Sequence, residues 1–98
     1  MIYMQSHYRD KFDIITSILD IANGNEVKQV KILVKANIPH NVFKEYLFLL
    51  RHNGLIEYMQ PQRTYRTTTK GLHFLSIVNE MKTIASIDGI SFLISSEN

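Results

Sequence analysis

The chain has 98 residues, of which 45% are hydrophobic and 20% charged, and this composition predicts one globular domain. It excludes a disordered chain and leaves no room for a catalytic domain beside a separate recognition domain. The formal net charge of +2 is too small to predict nucleic-acid binding by itself, so the positions of the charged residues have to decide.

Two features that the sequence lacks bear on the cellular location of the protein. The chain contains no cysteine, which excludes disulfide bridges and thiolate chemistry. No apolar run approaches the about 18–20 residues of a membrane span, and the first residues lack the basic and apolar regions of a signal peptide. We therefore expect a cytoplasmic protein with no membrane partner.

A first helix is predicted over residues 8–23, where apolar side chains recur at spacings of three and four. Its apolar positions are Phe12, Ile15, Ile18, Leu19 and Ala22. Asn23, Gly24 and Asn25 end this helix, and residues 1–7 are predicted to form an N-terminal arm.

A second, short helix is predicted from Val27 to Ala36, and it has an apolar and a basic side. The side chains predicted to face inward are Val27, Val30, Leu33 and Val34. Lys28, Lys31 and Lys35 fall within about 60° of one another at about 100° per residue, so they form a basic stripe.

A third helix is predicted from His40 to Asn53, directly after a turn at residues 37–39. Pro39 suits the first turn of this helix, and Gly54 stands where a left-handed C-terminal cap is expected. The side chains predicted to face inward are Phe43, Tyr46, Leu47 and Leu50.

The hydrophobic period changes after Gly54. Residues 55–59 and 64–68 are β-prone and are separated by a loop at residues 60–63, which predicts a β-hairpin. Thr69 is the predicted N-cap of a fourth helix, from Lys70 to about Ala85.

The fourth helix carries two apolar stripes. One consists of Leu72, Leu75 and Val78, and the other of Phe74, Ile77, Met81 and Ile84. The first suffices to pack the helix on its own domain, and the second has the three- and four-residue spacing of a seam between helices. We therefore predict a homodimer through the second stripe, with residues 87–94 folded back over it as the alternative.

The order of these elements is that of a winged helix-turn-helix, a mostly α-helical α+β fold whose hairpin is the wing. The sequence stretches that narrow this prediction are Tyr-Arg-Asp-Lys-Phe-Asp-Ile-Ile at 8–15, Lys-Ala-Asn-Ile-Pro at 35–39, Tyr-Leu-Phe-Leu-Leu at 46–50, Asn-Gly-Leu-Ile-Glu-Tyr at 53–58 and Tyr-Arg-Thr-Thr-Thr-Lys-Gly-Leu-His-Phe-Leu at 65–75. Together they resemble the small archaeal winged-helix DNA-binding proteins, which act as transcriptional regulators or chromatin-associated proteins.

The resemblance covers residues 8–82, which we take as the domain, with residues 83–98 as a C-terminal helix extension or tail. It implies double-stranded DNA as the partner, a nucleoid-associated location, and dimerisation through the last helix. No cofactor is implied. The strongest part of the resemblance is Gly-Leu-Ile-Glu-Tyr at 54–58 followed by Tyr-Arg-Thr-Thr-Thr-Lys-Gly-Leu at 65–72. Within it, Gly71 is expected to allow close backbone approach near the start of the fourth helix.

The third helix carries the predicted DNA-reading surface. A projection at about 100° per residue places one set of side chains opposite the inward ones. This set, called the reading face below, is His40, Asn41, Lys44, Glu45, Phe48, Arg51 and His52. Asn41 suits an adenine edge and Lys44 a guanine or a phosphate, whereas Phe48 either contacts a thymine methyl group or a protein, or turns into the core. The alternative is a merely solvated helix face.

Flanking contacts are predicted from the hairpin and from the second helix. Gln60, Gln62, Arg63 and Arg66 offer donors to phosphates or to the minor groove, while Tyr65 points to the opposite side of its strand. The lysine stripe of Lys28, Lys31 and Lys35 is suited to the DNA backbone, although solvated stripes of this kind are common.

An enzyme is not predicted. His7, His40, His52 and His73 lack metal-ligand spacing, and neither a Gly-rich phosphate loop nor a nucleophile elbow is present. Two other functions remain open beside gene regulation, namely a protein-interaction module that uses Phe48, and a chromatin-type binder without sequence preference.

Overall fold

The computed structural model describes residues 11–85, and the expectations for residues 1–7 and for residues 86–98 lie outside this range. Within it the chain forms helices and one two-stranded antiparallel sheet, as the sequence predicts. In chain order the elements are α1 (Lys11–Ile21), α2 (Gln29–Ala36), α3 (His40–His52), β1 (Ile56–Met59), β2 (Thr64–Thr67) and α4 (Thr69–Ala85).

Helix α1 is the centre of the domain, because α2, α3, α4 and β2 all pack against it. The fully enclosed side chains are Ile18, Leu19, Ala22, Ile32, Phe43 and Leu50. Phe12, predicted to face inward, is instead about half exposed at 52%. It lines an apolar groove together with Leu49 of α3 and Phe74 of α4.

The turn between α2 and α3 has the predicted tight geometry. Asn37 adopts a left-handed conformation with φ 55°, and its N–H donates to Leu33 O. Pro39 is the extended residue just before α3, with φ −68°, and its carbonyl accepts a hydrogen bond from Phe43 N. The two helices are therefore joined by a turn of three residues, which confirms the helix-turn-helix.

Helix α2 differs from the prediction at its start and in its buried face. It begins at Gln29, because Val27 is extended and pairs with Tyr65 through two backbone hydrogen bonds of 3.0 and 2.7 Å. Val30 and Val34, predicted to face inward, are 69% and 74% exposed. Helix α2 has apolar residues on two arcs, and α1 covers the arc that carries Ile32 and Ala36.

Helix α3 ends as predicted. Gly54 has φ 72° and donates its N–H to Arg51 O, and Leu55 donates to Leu50 O at 2.8 Å. This pair of bonds is a Schellman motif, which satisfies the last carbonyls of the helix and turns the chain into β1.

The hairpin is fastened to the core along β2. Thr67 Oγ1 donates to Leu19 O at 2.7 Å, and Thr67 N donates to Ala22 O. The register pairs Ile56 with Thr67, Glu57 with Arg66, Tyr58 with Tyr65, and Met59 with Thr64. The wing therefore has a fixed position relative to α1.

The N-cap of α4 is Thr68, not the predicted Thr69. Thr68 Oγ1 accepts a hydrogen bond from Gly71 N at 3.0 Å and donates one to Gly54 O at 2.6 Å. Thr68 thus caps α4 and at the same time links the start of α4 to Gly54, which follows the end of α3.

The two apolar stripes of α4 are also partly reassigned. Leu75 and Val78 are buried as predicted, but Leu72 is exposed because it lies beside the polar side of the helix, where Ser76 and Asn79 line an open groove. Phe74, predicted to belong to the dimer seam, is half-buried against the core of its own domain. Ile77, Met81 and Ile84 remain exposed, and they are called the α4 stripe below.

Candidate functional site

The reading face lies on the outside of α3, on the side away from the core. Phe43 and Leu50, on the opposite side of the helix, are buried. The polar residues of the reading face are all exposed, namely His40, Asn41, Lys44 and Glu45 at the beginning of the helix and Arg51 and His52 at its end. Phe43 near the start of the helix and Leu50 near its end pack into the core. Because both ends of α3 are held in this way, its exposed face has a defined orientation. The exposure predicted for this face is confirmed.

Phe48 lies in the reading face and does not turn into the core. It is 68% exposed and stacks on His52, with ring centroids 5.8 Å apart and an interplanar angle of 12°. The interior next to α3 is already filled by Phe43, which has no exposed surface. With Lys44 and Arg51, Phe48 lines a shallow groove along the helix that is suited to an apolar contact.

Arg63 is at the tip of the wing in a conformation that is unfavourable for arginine. It is exposed and has φ 57°, and its N–H donates to Met59 O at 2.8 Å. A non-glycine residue in the left-handed region costs roughly 1 kcal/mol, and such strain persists most often at functional sites. Arginine is thus held where glycine would fit more easily, beside the exposed Gln60 and Gln62.

Arg66, also predicted to contact DNA, lies on β2 and is engaged by its cross-strand neighbour. Its Nε and Nη2 atoms donate to Glu57 Oε2 at 3.1 and 2.9 Å. The pair is partly exposed, so solvent screens it and its contribution to stability is small. The pairing nevertheless occupies donors that Arg66 would otherwise offer to a phosphate.

The wing and the reading face meet at a row of aromatic rings. The guanidinium of Arg51 lies over the ring of Tyr58, 5.4 Å from its centroid. Tyr58 contacts Tyr65 with centroids 5.0 Å apart, and Tyr65 meets Phe43 edge-on at 6.1 Å. Tyr65 points away from the surface, as predicted, and burial raises its pKa while the charge of Arg51 opposes that rise.

Sequence reasoning missed Tyr58. The signal for it was present, because strand alternation and the short loop place Tyr58 opposite Tyr65 in the hairpin. What could not be predicted is that α3 packs against β1 and brings Arg51 onto the Tyr58 ring.

The lysine stripe is exposed. Lys28 precedes α2 in an extended conformation, and Lys31 and Lys35 lie on the helix. Between and beside these lysines are the exposed side chains of Val30 and Val34, so the outside of α2 is both basic and apolar.

Two further features of residues 11–85 bear on the kind of site. No helix in this range is long and apolar enough to cross a membrane. The same residues contain no group of three or more histidine, aspartate and glutamate side chains placed to hold a metal ion.

A family model described as winged helix-turn-helix matches residues 8–86, which is most of the chain. A comparison of the sequence with curated proteins finds no match.

Proposed function

Since the chain belongs to the winged helix-turn-helix family, we propose that it binds double-stranded DNA and regulates transcription, with α3 in the major groove and the wing on the flanking backbone. The observation that carries this proposal is the reading face, an exposed polar helix surface that begins three residues after α2 and is fixed from behind by Phe43 and Leu50. The proposal implies a protein that acts at the nucleoid.

The side chains of the reading face suit base edges as well as phosphates. Asn41 offers the paired donor and acceptor that match adenine, and Lys44 offers donors to guanine or to phosphate. Phe48 supplies an apolar contact of the kind that a thymine methyl group accepts. His40 is at the start of the helix, where recognition helices place their base-reading residues.

Outer contacts to the backbone come from the wing and from α2. Arg63 projects from the tip of the hairpin, with Gln62 beside it. Lys28, at the start of α2, is the member of the lysine stripe that lies nearest a helix N-terminus, where phosphates are favoured. Lys31 and Lys35 extend the positive charge along the helix.

Truncating the reading face is expected to weaken binding to a specific site. Asn41→Ala should relax the choice at one base pair by roughly 1–3 kcal/mol, and Lys44→Ala should lower affinity for the same site. The measurement is fluorescence polarisation on a selected duplex and on single-base variants of it. Asn79→Ala and Lys82→Ala are matched controls, because these residues are exposed on α4. Unchanged affinity in both reading-face variants would show that α3 does not read DNA.

The two wing arginines are expected to differ. Arg63→Gly removes the guanidinium and the left-handed strain together, so it should leave stability unchanged or raise it by up to about 1 kcal/mol. It should also lower the slope of log affinity against log salt by about one. Arg66→Ala should lower this slope by less, since Glu57 already holds the side chain. A titration of binding against salt concentration checks both, and equal slopes for Arg63→Gly and the unmodified protein would contradict a phosphate contact at Arg63.

A protein-interaction module is the second candidate function, favoured by the exposure of Phe48, Val30 and Val34. The two functions differ in their dependence on salt. DNA binding must weaken steeply as salt rises, because counterions are released from the phosphates. Binding to a mixed-sequence duplex at low salt, followed by competition with unlabelled duplex, also separates a regulator with a preferred site from a chromatin-type binder.

We also propose that the protein forms a homodimer through the α4 stripe. Ile77, Met81 and Ile84 are 42%, 53% and 50% exposed, although they are large and apolar. A second copy packed along this stripe would remove it from water and present two reading faces to adjacent half-sites. Phe74 would contribute only through its outer edge, since its own core covers the rest.

A further inference from the structure

We propose that Tyr58 is a positioning residue that holds Arg51, so that the reading face and the wing act as one DNA-binding surface of fixed geometry. This inference rests on the proposed function and adds a residue that touches no DNA itself. Tyr58 is half-buried on β1, whereas Arg51 is exposed on the last turn of α3. The contact between them therefore bridges the two elements proposed to bind DNA.

The geometry is that of a cation–π contact. The guanidinium carbon of Arg51 lies 5.4 Å from the centroid of the Tyr58 ring, inside the distance of about 6 Å at which such contacts are significant. A guanidinium presents five N–H donors, and the contact with the Tyr58 ring pairs none of them with a carboxylate. Arg51 is thus held and still able to donate to a phosphate or to a base edge.

The ring that holds Arg51 is itself anchored to the core. Tyr58 contacts Tyr65, its cross-strand partner, at 5.0 Å, and Tyr65 packs edge-on against Phe43 at 6.1 Å. The backbone of Tyr65 is also hydrogen-bonded to Val27 on its other side. Tyr58 is therefore a rigid platform rather than a mobile surface ring.

The contrast with Arg66 shows what is particular to this arrangement. Arg66 is held by its N–H edge, which faces the carboxylate of Glu57, and its charge is locally compensated. Arg51 is held by the Tyr58 ring, and within residues 11–85 no carboxylate pairs with it. Holding an arginine this way reduces the rotamer freedom that it loses on binding, which raises affinity without a new contact to DNA.

A double-mutant cycle on DNA affinity tests the inference. The variants are Tyr58→Leu, Tyr58→Phe, Arg51→Ala and the double variant Arg51→Ala/Tyr58→Leu, all measured on one mixed-sequence duplex at low salt. We expect Tyr58→Leu to weaken binding about two- to fivefold, the range of an exposed cation–π contact. Tyr58→Phe should bind like the unmodified protein, because it keeps the ring. In the Arg51→Ala background, Tyr58→Leu should have no further effect.

A measurement on the free protein, made without DNA, accompanies the double-mutant cycle. The Arg51 side-chain resonances of the free protein should show the ring-current shift of Tyr58 in the unmodified protein and in Tyr58→Phe, and should lose it in Tyr58→Leu. Thermal unfolding is followed for every variant. If Tyr58→Leu does not fold, Tyr58→Met takes its place in the cycle, and Arg51→Ala tests the same contact from the helix side without changing the wing.

Each result decides the inference. An equal loss of affinity from Tyr58→Leu with and without Arg51 would show that Tyr58 acts through the fold of the wing, and this would overturn the proposal. An equal loss in Tyr58→Phe and Tyr58→Leu would overturn it as well, because the ring would then not be the group that acts. DNA binding that is unchanged in Arg51→Ala would overturn the inference and leave the proposed function standing, whereas no binding by the unmodified protein would overturn both.

Discussion

Replacing Gly71 with alanine is expected to lower the free energy of unfolding by about 2–4 kcal/mol, which corresponds to a fall in Tm of about 10–25 °C for a domain of this size. A Cβ atom at this position would overlap the backbone oxygen of Leu55 and would lie 2.6 Å from Thr67 Cγ2. Neither neighbour can move easily, because Leu55 O also accepts the N–H of Thr68, and Thr67 is hydrogen-bonded to Leu19.

Whether Gly71→Ala lowers or raises the free energy of unfolding shows whether the backbone approaches closely at this position. At an open helical position alanine is more favourable than glycine by up to about 1 kcal/mol, so without the close approach Gly71→Ala would stabilise the protein. Gly24→Ala is the control, since no atom lies within 4 Å of the added Cβ and only the left-handed φ of 85° opposes it. Circular dichroism during thermal and urea unfolding measures both variants. A Gly71→Ala protein as stable as the parent would contradict the packing of α4 on the exit of α3.

The double variant Ile77→Glu/Met81→Glu is expected to convert a homodimer into a monomer and to lower the affinity for a two-half-site duplex by about 100-fold or more, since two linked contacts become one. Both side chains lie in the exposed α4 stripe, where a charge would be buried without a partner in the dimer. The helical circular dichroism should be unchanged, because neither residue belongs to the core of its own domain. Sedimentation equilibrium at tens of micromolar measures the assembly.

The matched control places the same added charge on the opposite side of the helix. Asn79→Glu/Thr83→Glu changes two exposed residues that line the groove on the polar side of α4, away from the α4 stripe, and this variant should remain dimeric. An unmodified protein that sediments as a monomer at the same concentration would disprove the dimer. The alternative, in which residues 87–94 of the same chain cover the stripe, would then be the better explanation.

The predictions made from sequence that the structure confirms are those with a local physical cause. Gly54 ends α3 because a residue free to adopt positive φ was needed there, and the turn at Asn37 and Pro39 follows from the conformations that these two residues favour. The hairpin follows from β-prone runs on either side of a short loop. The exposure of Asn41 and Lys44 follows from the apolar period of α3, which places both residues opposite Phe43 and Leu50.

The features that the sequence left undecided depend on which other helix or strand packs against each surface. Helix α2 has two apolar arcs, and periodicity cannot tell that α1 covers Ile32 rather than Val30. Thr68 and Thr69 are equal candidates for the cap of α4 until Gly54 is known to lie within reach of Thr68. The sequence alone does not show that Arg66 forms an ion pair. It does so in the hairpin, because the strand register places Glu57 opposite it.

The candidate site divides in the same way. The sequence by itself determined which residues of α3 point outward, because helical periodicity and the polar character of those residues are local properties. Only the tertiary structure decided that Arg51 meets Tyr58 and that the wing stands beside the last turn of α3. The physical reason is that these contacts join segments that are separate in the chain, and their distance is set by the packing of α1, β2 and the Schellman turn at Gly54 rather than by any preference of the residues themselves.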